Sequence, residues 1–531
     1  MLFTSYGFFG FAAVLLIAYY LVPKRAQWPL LLAASYVFYF IAGPDYLIYI
    51  LATTVTTWLT ARIMGQNLHR QAQYLKERRD ELSREEKRAY KESCKRVRLR
   101  WFVACLLLNL GILAVVKYTN FAISNINGLL GALGRTEGLS FVTLALPLGI
   151  SFYTFQAMGY LIDVYRGTVP AEKNPFKFAL FVSFFPQLIQ GPISRFGDLS
   201  QTLYQEHSFQ PKTVSRGLQR MLWGYFKKMV IADRVLAGVS TIIGDTAAYH
   251  GAYIFVGMLF YTLELYADFT GGIDITIGIA EALGITVQEN FHRPYFSKSL
   301  KEYWRRWHIS MCSWFRDYVF YPVSTCKPMQ RFTKFSRKRF GDRVGRRLPV
   351  YVSSFAVWLA TGVWHGASWN FIVWGLANWA VLMISEELEP LYDRFHKRFP
   401  AVDGALWYKI FQVGRTFLLV CVLNLFDCYR SLADTFGMLA SMFTARNWSI
   451  LWDGSLLKLG LTGLDYGILA GGVTLMLAVS LVQRSGGVRE KLAARPYPVR
   501  FAVWYGLFLI VLLMGAYGIG YDASQFIYNQ F

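Results

Sequence analysis

Two of the seven histidines stand where an imidazole can do chemistry. His365 lies in residues 359–374, LATGVWHGASWNFIVW, an apolar tract without a single charge. An ionisable group in such surroundings is costly. It either faces a cavity and has a function, or is a neutral core histidine bonded to a backbone carbonyl. A low-dielectric setting disfavours the imidazolium and leaves the ring neutral, ready to take a proton as a general base. His308 lies in YWRRWHIS (303–310), followed by WFRDY (314–318). Three tryptophans and three arginines around one histidine make a segment apolar on one side and cationic on the other. Composition alone favours an anchor at the level of lipid headgroups. The functional reading is a cationic, stacking-capable mouth for a phosphate-bearing donor.

The other reactive residues say less. Asp268 and Asp274, in YADFTGGIDITIG (266–278), are six apart and do not share one helical face. The intervening Gly271 and Gly272 suggest a break or close helix packing, and structural hydrogen bonding outweighs catalysis for both carboxylates. His69 falls in a charged loop and His207, His250 and His396 in polar connections, so all four read as solvated. His292, in the irregular ENFHRPY (289–295), can go either way. There is no G-x-S-x-G, Walker loop or H-E-x-x-H, and the dinucleotide-like GIGYDA (518–523) follows an apolar run with no strand before it, a chance match. Six cysteines show no CxxC and no metal-ligand spacing, so bland thiols and no metal are expected.

The elements that must hold these side chains are membrane helices. Of 531 residues, 54% are hydrophobic, 17% aromatic and 17% charged, where an average soluble protein is about a quarter charged. This excludes a disordered chain, a nucleic-acid-binding domain and most soluble enzymes. Apolar runs at 2–22, 28–43, 45–64, 101–122, 140–165, 176–193, 217–243, 251–283, 350–363, 367–386, 407–427, 464–483 and 500–522 are candidate spans. Some are too short to cross, and 140–193 and 285–322 mix Pro, Gly and charge as broken or re-entrant segments do. The fold class is therefore an all-α polytopic membrane protein with ten to twelve crossings. The first apolar run reads as a retained span, without a basic n-region or cleavage site.

The net charge of +22 is concentrated in residues 66–100 (net +6) and 323–347 (net +8). Basic loops between apolar spans stay on the cytoplasmic side. That assignment puts both termini outside and leaves anionic headgroups, not nucleic acid, as partners of the surplus charge. In 66–100 opposite charges recur three or four apart, as in a solvated helical hairpin.

Four patterns then follow in order: Y-x-D-F-[ST]-G-x-x-D from Tyr266, E-N-F-x-x-P-Y from Glu289, W-x-R-W-H-x-S-x-x-x-W-x-R-D-Y from Trp304, and W-H-G-A-S-W from Trp364. With PLGISFYTF (147–155) and FPQLIQGP (185–192) upstream, the chain resembles the membrane-bound O-acyltransferases, in the bacterial AlgI/DltB-like branch. Residues 266–374 are the signature core of a single membrane domain, with 66–100 a charged cytoplasmic insertion longer than the core family has. Gly271-Gly-Ile273 departs from the usual Gly-Tyr-Ser.

The resemblance implies a ring of tilted helices around a funnel, in a bacterial cell membrane. It implies His365 as the catalytic histidine and His308 as the second functional one, with Trp304, Arg305, Arg306, Asp317, Trp364, Asn290 and Asp268 toward substrate. It further implies thioester-to-hydroxyl acyl transfer, with acetyl-CoA or an acyl-carrier thioester as donor and no tightly bound cofactor. The acceptor would be a cell-surface polysaccharide, reached through an extracytoplasmic relay partner of the SGNH (AlgJ/AlgX-like) or DltD-like kind. WRRWHIS and WHGASW favour acetyl; WFRDYVF points to D-alanyl transfer onto teichoic acid. A transporter or flippase using buried His and Asp for proton coupling, or a scaffold within an export complex, is the rival from another class.

Overall fold

A computed structural model describes residues 3–135, 137–429 and 431–517. The string at 518–523 and the end of the 500–522 run lie outside the described residues. Those described are helical, with no strand among them, as an apolar chain that must satisfy its own backbone in lipid requires. Six helices are long and apolar enough to cross a membrane: Pro44–Glu77, Arg84–Ala132, Ala252–Ala282, Leu406–Cys428, Gly463–Ser485 and Tyr497–Met514. The bent pair Trp369–Glu387 and Glu389–Arg398 makes a seventh.

Fewer than the ten to twelve expected crossings thus meet that length, because the other apolar runs are shorter or broken. Residues 28–43 become the 16-residue Gln27–Ala42. In the 140–165 run no helix begins before Ile150. The 176–193 run divides into Pro175–Ser183 and Phe185–Gln190, because Pro186 cannot continue a preceding helix but suits the first turn of the next. Short pieces survive at membrane depth only where protein surrounds them, and residues 178–194 are buried throughout.

The described residues pack as two compact units. One comprises residues 6–215 and 279–288. In it, Leu47–Glu77 and Arg84–Ala132 form a helical hairpin. Ser83 starts the second helix with a reciprocal cap: its hydroxyl accepts from the Glu86 N–H at 3.2 Å, and Glu86 accepts from the Ser83 N–H at 2.8 Å. Buried Arg98 ties the arms together, donating to Asn67 Oδ1 at 2.8 Å and Gln71 Oε1 at 2.7 Å. At 49 residues the second arm is about 70 Å long, more than twice a bilayer's hydrocarbon thickness.

The other unit, residues 216–278 and 289–517 with the start of the chain, holds the four core motifs apart from residues 279–288. Ala252–Ala282 runs unbroken through Gly271 and Gly272. The glycines serve close approach: a Cβ on Gly271 would lie 2.9 Å from the Gly224 carbonyl oxygen, and one on Gly224 only 2.6 Å from that of Gly271. Around this contact Phe226, Val230, Ile231 and Val235 pack with Ala267, Leu469, Met476 and Leu507. Lys327–His365 is kinked at Gly341 (φ 74°), separating its strongly basic first part from the apolar part that ends in His365.

Candidate active site

His308 occupies the N-cap of the short helix Ile309–Phe315 with φ 47°, ψ 53°. Left-handed backbone is costly for a residue with a Cβ and persists where surrounding structure enforces it. Here two irregular stretches clamp one another: the Ile309 N–H donates to the Asn290 carbonyl at 3.0 Å and the His292 N–H to the Arg306 carbonyl at 2.9 Å. The Asn290 side chain adds to the clamp, its Oδ1 accepting from the Ser310 N–H and hydroxyl, each at 2.9 Å. The same oxygen faces His308 Nδ1 at 3.4 Å. The His308 ring is fully buried, and its Nε2 meets no hydrogen-bond partner among the described residues.

His365 is the last residue of its helix, and extended Gly366 leads into Trp369–Glu387. These two helices cross at close range: a Cβ on Gly375 would lie 2.4 Å from the Trp358 carbonyl oxygen. The His365 ring sits 4.5 Å from Trp374, 5.1 Å from Trp364 and 6.3 Å from Phe371, measured between ring centroids. Trp364 also lies 6.1 Å from His308, so one indole borders both imidazoles. The two histidines are close enough to interact electrostatically, and Phe269 packs edge-on to His308 at 4.9 Å.

The other predicted residues take different places. Trp304 stands behind His365: it packs on Trp358 and Trp374 at 5.0 and 5.7 Å and donates its indole N–H to Asn378. Arg305 is exposed. Arg306 pairs with Glu302 at 2.5 Å, and Asp317 with its neighbour Arg316 at 2.8 Å. Asp268 is fully buried and ion-paired to Lys228 at 2.5 Å. His292, left open by sequence, contributes its backbone N–H to the clamp. The basic segment after His308 is solvated; there Arg337, with Arg346, holds the exposed Asp342 carboxyl below the usual carboxylate range.

Sequence reasoning missed the charge network of this unit. The π-helical turn Phe226–Ala232 carries consecutive lysines. Lys228 bonds Asp268 and Asp233, the latter at 2.7 Å, while Lys227 bonds Asp274 at 2.6 Å. Arg220 reaches Asp274 at 3.0 Å and Glu289 at 2.5 Å. Two lysines inside the apolar 217–243 run were the available signal, since intramembrane charges pair with one another. Beside this network opens a cleft of about 590 Å³, its mouth included, lined by Arg220, Lys227, Arg293, Trp223, Tyr266 and Phe291 among others. Phe291 and Tyr266 in turn pack on Trp307, the residue before His308.

An all-helical, multi-pass membrane protein with two imidazoles set among tryptophans is the class that the structure defines. Residues 172–337 match the model of MBOAT, the membrane-bound O-acyltransferase family. The chain is 32% identical over 455 residues to the probable alginate O-acetylase AlgI of Azotobacter vinelandii, covering 85% of this chain and 79% of the relative. It is 30% identical over 328 residues to a peptidoglycan O-acetyltransferase of Helicobacter pylori, covering 57% and 58% of the two chains. A teichoic acid D-alanyltransferase of Bacillus subtilis is 27% identical over 280 residues, covering 52% and 66%. The chain belongs to the membrane-bound O-acyltransferase family, and it is an O-acyltransferase.

Proposed function

We propose that the protein moves acetyl groups from a cytoplasmic thioester, acetyl-CoA or an acyl-carrier protein, toward a hydroxyl acceptor, for O-acetylation of a cell-surface polysaccharide. The observation that carries the reading is the pair of imidazoles bordering Trp364, with His308 Nε2 buried and open. His365 takes the acceptor's hydroxyl proton as the oxygen attacks the thioester carbonyl. The C–S bond breaks as the C–O bond forms, and the proton passes to the departing thiolate. His308 orients the acceptor through Nε2, which receives a neighbouring hydroxyl of the same acceptor. The neutral, water-poor surroundings suit both rings to accepting rather than donating.

In the cleft Arg220 and Lys227 are held by Asp274 and Glu289, which leaves Arg293 to meet a phosphate of the donor, with Trp223, Tyr266 and Phe291 as apolar walls. Basic residues 66–100 and 323–347 support a cytoplasmic position for those segments and extracytoplasmic termini. The relatives named for alginate and peptidoglycan O-acetylation support a polysaccharide acceptor. Because the donor is cytoplasmic and the polymer external, an extracytoplasmic relay protein completes the transfer.

Mild-alkali release of ester-linked acids from the cell surface tests this. In a deletion strain, acetate is lost, and complementation with His365→Ala leaves it lost, a drop of about 10²–10⁴-fold in transfer. Loss of D-alanine instead would move the protein to the teichoic-acid branch. No change in either acid would sink the reading.

A further inference from the structure

We propose that Asn290 is a positioning residue for His308: its carboxamide oxygen holds the imidazole in the tautomer protonated on Nδ1, leaving the Nε2 lone pair open to substrate. The inference rests on the acyl-transfer reading above and deepens it.

The orientation of the carboxamide follows from the backbone. An N–H can only donate, so the atom 2.9 Å from the Ser310 N–H is the oxygen, and the Ser310 hydroxyl at 2.9 Å adds a second donor. That oxygen also faces His308 Nδ1 at 3.4 Å, and two acceptors do not face one another at that distance without a proton between them. Nδ1 therefore carries the proton, in a long hydrogen bond of the kind that tightens when substrate fills a site.

A neutral imidazole with its donor on Nδ1 has its acceptor on Nε2. Nε2 is buried without a hydrogen-bond partner among the described residues, and so is the Asn290 Nδ2 that the Ser310 bonds turn away from the oxygen side. Two buried polar atoms of opposite type, one acceptor and one donor, thus stand unsatisfied on a dyad that the backbone holds rigid. A buried group left without a partner costs stability unless something else fills it. A second hydroxyl of the acceptor, beside the one that His365 deprotonates, does so by donating to Nε2.

Beside a contact with the backbone of His308 itself, the groups around the ring leave Asn290 as the tautomer-setting side chain. Phe269 from Ala252–Ala282 is apolar, Trp364 borders the ring at 6.1 Å, and His365 is the titratable group that faces it. None of the polar contacts made to His308 comes from a carboxylate among the described residues.

The discriminating variant is Asn290→Asp, nearly isosteric, which keeps both Ser310 bonds but puts a negative charge beside Nδ1. A charged neighbour favours a second proton on the ring, and an imidazolium has no lone pair with which to accept. Permeabilised cells of the complemented deletion strain, which hold the full-length protein with its relay partner and polymer, would be given radiolabelled acetyl-CoA, and alkali-labile polymer-bound label counted across pH. The acid limb of the wild-type profile should move upward by about one pH unit or more, with about tenfold slower transfer near neutrality. Asn290→Ala gives a second readout that needs no added charge: kcat about tenfold lower with the donor KM unchanged.

An Asn290→Asp protein that elutes as wild type and has a superimposable pH profile overturns the proposal, as does wild-type kcat in Asn290→Ala. His308→Ala at wild-type rates would bring down the role of His308 itself, which separates failure of the underlying reading from failure of the inference.

Discussion

At the scale of single residues, position and backbone conformation decide more than residue type. His308 is held at φ 47°, a region that asparagine enters several-fold more readily than most side chains. His308→Asn is therefore expected to fold with stability within about 1 kcal/mol of wild type while losing about 10²-fold or more in transfer. Thermal denaturation in detergent beside the alkali-release assay checks both halves, and a variant that keeps its acetate would remove His308 from the chemistry. Trp364 belongs to the same scale. Because it borders both rings, Trp364→Ala should damage transfer more than Trp364→Phe, which keeps an aromatic wall. Equal activity in the two would mean that the indole is packing alone. The sequence singled out His365 by its uncharged tract, while Trp364 and Asn290 entered through the resemblance; the structure sets Trp364 beside both imidazoles and Asn290 against His308. Asp268 was legible as important and not as to its use: only its ion pair with Lys228 shows that a carboxylate in the first motif is engaged structurally.

Helices and turns do the positioning, and two devices stand out for their physical cause. The π-helical turn at Phe226–Ala232 adds a residue to the helical repeat. That lets two adjacent lysines serve two different carboxylates, Asp274 and Asp268, on one neighbouring helix. Lys228→Met removes the cation between buried Asp268 and Asp233. Loss of one partner from a buried ion pair costs about 3–5 kcal/mol, so the protein should lose yield and melting temperature rather than catalytic specificity. An unchanged melting temperature would show that the network is not structural. The second device is the glycine contact between Gly224 and Gly271. Gly271→Leu must push the helices apart or strain them, at about 1–3 kcal/mol, visible as a lower melting temperature. The sequence allowed either a break or close packing at Gly271-Gly272. Glycine permits both, and the outcome depends on what lies opposite, a residue 47 positions earlier in the chain.

For the molecule as a whole, charge distribution carries the testable statement. The basic segments at 66–100 and 323–347 predict that Cys326, exposed at the edge of the second segment, faces the cytoplasm. A membrane-impermeant maleimide should label it in inside-out vesicles and not in intact cells. Cys94, Cys105 and Cys421 are buried and should stay silent on either side. Labelling of intact cells would invert the orientation and with it the cytoplasmic donor.

Composition alone made this a helical membrane protein, since a chain so poor in charge and rich in aromatics has no other stable solvent. Short-range motifs were enough for the family, because family chemistry is written in contiguous residues. The number of long crossing helices was decided in three dimensions, where Pro186 and its neighbours at 178–194 are sheltered by protein rather than lipid. So were the lysine–carboxylate pairings, the cleft beside Phe291 and the clamp from Asn290 to His308. These join residues as far apart as Asn290 and His308, 18 positions, and Lys227 and Asp274, 47 positions, and linear spacing holds no record of which side chains folding will bring together.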